Sequence, residues 1–159
     1  MTLLDKEPVK RVEKCLKEFD QTQKVIILDT SARTASDAAS SLSCEIGAIV
    51  KSLLFKTENN FILCLIAGDK KASLNKIKKM LNIKDVSMSS ADDVKNITGF
   101  TIGGVSPIGH LNKIDIFIDN SLKRFTSLFA AAGHPNCVFK INFTDLQKIT
   151  NGSIMEITE

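Results

Sequence analysis

Two apolar runs rich in branched residues, GAIVKSLLFKT at 47–57 and NFILCLIAG at 60–68, meet at a polar ENN turn, and this pair constrains the fold more than any other stretch. Such residues suit a pleated, buried surface, and the short polar break between them is a hairpin signal. Helical and strand patterns interleave around it. Val9, Val12, Cys15, Leu16 and Phe19 recur at helical spacing behind Pro8, which suits a first turn. KVIIL at 24–28 reads as a strand, DTSART as the loop after it, and Thr34 or Ser36 as the cap of a helix running to Leu42. Ser73 can start a helix bearing Leu74, Ile77, Met80 and Leu81 on one face, and Ser90 with Asp93 can start another that Gly99 ends. IDIFID, FTSLFAAAG, CVFKINF and SIMEI supply further strands, and Thr144 to Gln147 signals a last short helix before Gly152. The order predicts one α/β or α+β domain over residues 1–159, with a sheet that is not purely parallel.

The 159 residues, 43% of them apolar, suffice for one core. Lys and Arg total 21 against 18 Asp and Glu, so the chain lacks the pervasive charge of a nucleic-acid coat and any RNA footprint must be local. DNA is not an expected partner. With nine Phe and no Trp or Tyr, base stacking must come from Phe, His or Arg. Cys15, Cys44, Cys64 and Cys137 lack zinc or redox spacing, so reduced thiols are expected, and no metal or other cofactor. Charges interrupt every apolar run of the first 19 residues, which points to a cytoplasmic protein with no membrane partner.

Lys51 interrupts the first apolar run, on the face that alternation assigns to Ile49 and Leu53. It is either an edge lysine whose stem packs while its ammonium reaches water, or a cation held in a cleft for a phosphate or a polarised carbonyl. FTIGGVSPIGH is the densest cluster of turn formers, and Gly103, Gly104, Pro107 and Gly109 define a loop able to aim main-chain N–H groups inward. The alternative is an ordinary pair of tight turns; neither a Walker nor a Rossmann pattern matches. His110 and His134, the only histidines, each adjoin a glycine in a loop, free to face a cleft or to serve a structural role. Lys70, Lys71, Lys76, Lys78, Lys79 and Lys84 form the one basic stretch, a solvated helix face that could equally contact RNA phosphates.

Taken in order, ILDTSARTASDAA, CEIGAIVKSLLF, TGFTIGGVSPIGH and AAGHPNCVFKI resemble the YbaK/ProX (EbsC-like) family of aminoacyl-tRNA deacylases, over nearly the whole chain. Related domains are inserted in bacterial prolyl-tRNA synthetases. The resemblance implies a mixed, partly barrel-like sheet surrounded by helices, and a free-standing enzyme that hydrolyses the ester of a mischarged tRNA, with tRNA(Pro) carrying a small amino acid as the expected substrate. It implies that Lys51 engages the terminal adenosine or its phosphate, and that Gly103 and Gly104, with Val105, Ser106, Pro107, Gly109 and His110, hold the aminoacyl group. Ser31, Thr34, Gly133 and His134 would line the selecting cleft, Lys70, Lys71, Lys76 and Lys79 would meet RNA, and prolyl-tRNA synthetase would be a transient partner. Catalysis of this type is assisted by the substrate's own hydroxyl or side chain, without metal, so the missing Ser-His-Asp arrangement is no objection. AAGHPN departs from members with other residues after the glycine, which leaves Ala, Cys and Ser open as the amino acid removed. Two rivals are a non-catalytic RNA-binding protein of the same fold and a hydrolase of a small acylated metabolite.

Overall fold

The computed structural model describes residues 2–159. Helix α1, Glu7–Phe19, carries Pro8 in its first turn and buries Val9, Val12 and Leu16 along one stripe. Only Ile26–Ile27 of the KVIIL run pairs as a strand, β1, which ends at the loop leading to α2, Ala35–Leu42. Thr34 caps α2, its hydroxyl accepting from the Asp37 N–H. The hairpin is β2, Ile49–Thr57, with β3, Phe61–Ala67, antiparallel in the register Leu54 opposite Leu63. Helix α3, Leu74–Leu81, and α4, Ala91–Thr98, start at Ser73 and Ser90 as their capping hydroxyls predict. Between them lies a three-residue strand, β4, Val86–Met88, which the sequence pattern did not signal. Strands β5, Asp115–Asp119, β6, Leu128–Ala131, and β7, Cys137–Ile141, precede α5, Phe143–Thr150, and β8, Ser153–Met155. The cap of α5 is Asn142, which accepts from Asp145 N–H at 2.7 Å, rather than the expected Thr144: the helix starts two residues earlier, so Thr144 lies within its first turn.

The strands form one mixed sheet in the order β1-β7-β6-β2-β3-β5-β8, with β4 attached to β2. Alternation along β2 divides the molecule. Val50 and Leu54 face the main core with α1, Phe139, Leu128 and Leu146. Ile49 packs on the other face with Ala38 and Ala39 of α2, and Phe55 packs there with Ile77 of α3. Lys51 and Leu53 share that second face, so Lys51 stands between the α2 cluster and the α3 cluster. On α3 only Ile77 is fully buried; Leu74 and Met80 stay exposed, because a two-turn helix lying on a sheet offers it a narrow stripe.

Candidate active site

The site begins as an interruption in strand pairing. Parallel β6 meets β2 only at Ile49 and Val50, and β4 meets it only from Phe55 to Thr57. From Lys51 to Leu54, β2 therefore has β3 on one side and no strand on the other. A cavity of about 320 Å³ fills this gap. Its walls are β2 from Ile49 to Leu53, Ala32 to Ala35 before α2, Gly103 and Val105 of the glycine loop, and the β6–β7 connection with His134 and Pro135.

Each wall is fixed by ordinary forces. Gly103 has φ +95°, a left-handed conformation that favours glycine. Gly104 packs main chain against main chain: a Cβ there would lie 2.9 Å from His134 N, and its carbonyl accepts from Gly133 N–H at 3.1 Å. Pro135 carbonyl accepts from Ala32 N–H at 2.7 Å, which ties the α2 approach to the same turn. Arg11 of α1 holds the back of the glycine loop, donating to the carbonyls of Gly99 and Gly109 at 2.9 Å each while its guanidinium stacks 4.8 Å from the Phe100 ring.

Lys51 Nζ donates to the Lys70 carbonyl in the turn after β3. That turn is clamped in its own right, since Asp69 takes a two-pronged bond from Arg124 at 2.7 and 2.9 Å, which holds its carboxyl below the usual range. Loss of hydration lowers the Lys51 ammonium from its ordinary value, Lys71 adding repulsion and Asp69 opposing both. A partly dehydrated cation with one bond made and others open can meet an anionic or carbonyl oxygen. His134 Nδ1 accepts from Asn136 N–H at 3.0 Å, so the neutral ring carries its proton on Nε2. Burial, with Lys6 and Arg33 nearby, lowers its pKa and favours that neutral form. Gly104 N–H is already bonded to Thr101 O at 3.0 Å, whereas the N–H groups of Gly103 and Val105 donate to no other main-chain oxygen among the described residues.

Of the residues singled out from sequence, Lys51, Gly103, Val105, Thr34 and His134 meet at this cavity. Gly104 and Gly133 stand behind it as packing contacts, and Ser31 lies exposed outside its walls. Ser106 is fully buried, its hydroxyl accepting from Ile108 N–H. Pro107, Gly109 and His110 line a separate groove against α1 and α5, where His110 Nε2 bonds the Ser106 carbonyl at 2.7 Å and its ring meets Phe100 edge-on. Lys70 adjoins the cavity through its carbonyl; Lys71 and Lys79 are exposed; Lys76 is tied to Glu156 and to the Thr158 carbonyl. Cys137 lines the cavity too, but burial raises its thiol away from the nucleophilic thiolate. Arg33, Ser52, Phe129 and Pro135 are wall residues that sequence reading passed over; a basic residue inside the turn-forming DTSART loop was the one available signal. Among the described residues, no three His, Cys, Asp or Glu side chains cluster to hold a metal, and no helix is long and apolar enough to cross a membrane.

Fold and cavity together define a class: a mixed α/β domain with a half-enclosed pocket where a strand edge, a cation and a glycine loop converge. The family model described as the aminoacyl-tRNA editing domain matches residues 29–149, and the chain belongs to that family. It is 30% identical over 157 residues to a proline–tRNA ligase of Caldicellulosiruptor bescii, covering 93% of this chain and 26% of the ligase. The chain thus spans about a quarter of that relative's length. The Bacillus subtilis protein YwhH, itself uncharacterized, is 29% identical, with 89% of this chain and 90% of YwhH covered. A crystal structure provisionally assigned as a trans-editing enzyme for prolyl-tRNA synthetase superposes with TM-score 0.90 at 30% identity, covering 97% of this chain and 98% of that one.

Proposed function

We propose that this protein is a free-standing aminoacyl-tRNA deacylase that removes a small, wrongly attached amino acid from tRNA(Pro) in the cytoplasm, meeting prolyl-tRNA synthetase at most transiently. The observation that carries the reading is the convergence of Lys51 and the Gly103–Val105 segment on one cavity. Kinship with about a quarter of a proline–tRNA ligase supports the substrate, and two relatives of nearly equal extent support action in trans.

In this reading Lys51 Nζ holds the terminal adenosine or its phosphate, and the free N–H groups of Gly103 and Val105 face the ester carbonyl, where negative charge grows as the tetrahedral intermediate forms. Water, with its proton drawn off by a hydroxyl or side chain of the substrate, attacks the carbonyl carbon; the bond to the ribose oxygen breaks, that oxygen takes up a proton, and the amino acid departs as a free acid. Positioning and charge stabilisation suffice for an ester already activated toward acyl transfer. Thr34, His134 and Phe129 bound the space left for the side chain, which suits Ala, Cys or Ser better than a bulky residue. A deacylation panel tests this: tRNA(Pro) charged with Ala, Cys, Ser or Pro, incubated with wild-type protein and Lys51→Ala. Release of at least one non-cognate residue, with Pro spared and the variant slowed about 10²–10³-fold, is expected. No release from any charged tRNA would overturn the proposal.

A further inference from the structure

The chain has three arginines, and two are committed. Arg11 pins Gly99 and Gly109, and Arg124 forks onto Asp69. Arg33 forms no hydrogen bond or ion pair with the described residues. Its backbone is nevertheless held on both sides, by the Ala32 N–H bond to Pro135 O and by the Thr34 cap of α2. Its stem crosses the cavity wall, since a Cβ added at Gly103 would lie 3.5 Å from Arg33 Cγ. An exposed guanidinium on an anchored stem, at the rim of a pocket that already holds Lys51, is arranged for an anion arriving from outside. Lys6 flanks the same rim. It is the exposed N-cap residue of α1, two positions before Pro8, whose carbonyl lies against Gly133.

We infer that Arg33, with Lys6 beside it, binds the phosphodiester groups of the single-stranded 3′ end of tRNA as that end enters the cavity. The inference rests on the deacylase reading and moves the RNA contact from α3 to the cavity mouth. Of the two α3 positions expected to meet RNA, Lys76 is occupied with Glu156 and the Thr158 carbonyl, while Lys79 is exposed. An arginine fork matches a phosphate in two-point geometry, and each such contact on a single strand adds about 0.7 to the slope of log K against log salt. Arg33 acts here as a binding residue, distinct from the groups facing the ester.

The test uses Arg33→Gln, which keeps the stem over Gly103, together with Arg33→Lys, Lys6→Gln and, as a comparison, Lys76→Gln. Binding of an uncharged acceptor-stem hairpin ending in CCA is measured against salt, and hydrolysis is followed on two substrates: the charged hairpin, and an aminoacyl-adenosine that has no phosphate. Arg33→Gln is expected to weaken hairpin binding several-fold, to lower the salt slope by about 0.7, and to raise KM for the charged hairpin by a larger factor than for aminoacyl-adenosine. Arg33→Lys should recover part of the affinity, and Lys76→Gln should change it least. Equal loss on both substrates, or a salt slope unchanged in Arg33→Gln, overturns the inference while wild-type activity leaves the deacylase reading in place. A wild-type protein that neither binds the hairpin nor hydrolyses either ester overturns both.

Discussion

At the scale of single residues, Lys51 shows that one position can be unfavourable for the fold and useful for a ligand. Its folded pKa lies below the free value of 10.5 because burial strips water from the ammonium. The folded chain therefore binds fewer protons there than the unfolded chain, and this cost is present at neutral pH and relieved as pH rises through the lowered pKa. Lys51→Met should keep or raise the melting temperature at pH 7 while removing deacylation; a thermal melt beside the charged-tRNA assay reads both, and a large fall in stability would show that the lysine is structural. The histidines give a slope of the same sign in a lower pH window. Burial lowers both His110 and His134, so stability is fully present above about 6.5 and declines as pH falls through that value. Melting temperatures between pH 7.5 and 5 should drop in wild type and drop less steeply in His110→Phe, which keeps a ring against Phe100. An identical slope in the variant would remove His110 from that account. Lys51 and the face it shares with Ile49 and Leu53 could be read from sequence, because a charge in an alternating apolar run is conspicuous; that its ammonium meets the Lys70 carbonyl at a gap in strand pairing could not.

At the scale of elements, the local signals held. Hairpin, the capping hydroxyls of Thr34, Ser73 and Ser90 and the GHPN connection each depend on a few neighbouring residues, and each sits where its residues imply, whereas the Thr144 cap gave way to Asn142. Pairings between distant segments were invisible: β4 is three residues long, and the parallel contact of β6 with β2 covers two positions. The cavity is the space between those two contacts, so its residues could be named from sequence but its walls could not be assembled. Two substitutions test how the walls are held. Gly104→Ala places a methyl 2.9 Å from His134 N, against main chain that cannot give way, and should cost about 1–3 kcal/mol by denaturant unfolding while separating the glycine loop from the β6–β7 turn. Arg11→Ala leaves the Gly99 and Gly109 carbonyls without their donor and should cost a similar amount, about 1.5–3 kcal/mol. A neutral outcome for either would mean that the loop is positioned by other contacts.

At the scale of the whole molecule, a mild excess of three positive charges conceals a local arrangement in which Lys51 and Arg33 line one opening, with Lys71 acting on Lys51 and Lys6 on His134. Two concave surfaces compete for the ligand: the 320 Å³ cavity at the break in the sheet and the shallower groove holding Gly109 and His110 between α1 and α5. Composition cannot choose between them, because the glycine-rich segment borders both. The most direct measurement is a crystal structure with a non-hydrolysable alanyl-adenosine amide. The ligand should lie in the cavity, its adenosine within hydrogen-bond reach of Lys51 Nζ and its amide oxygen facing the N–H of Gly103 or Val105. Density in the groove beside His110, with the Lys51 cavity unfilled, would contradict the account.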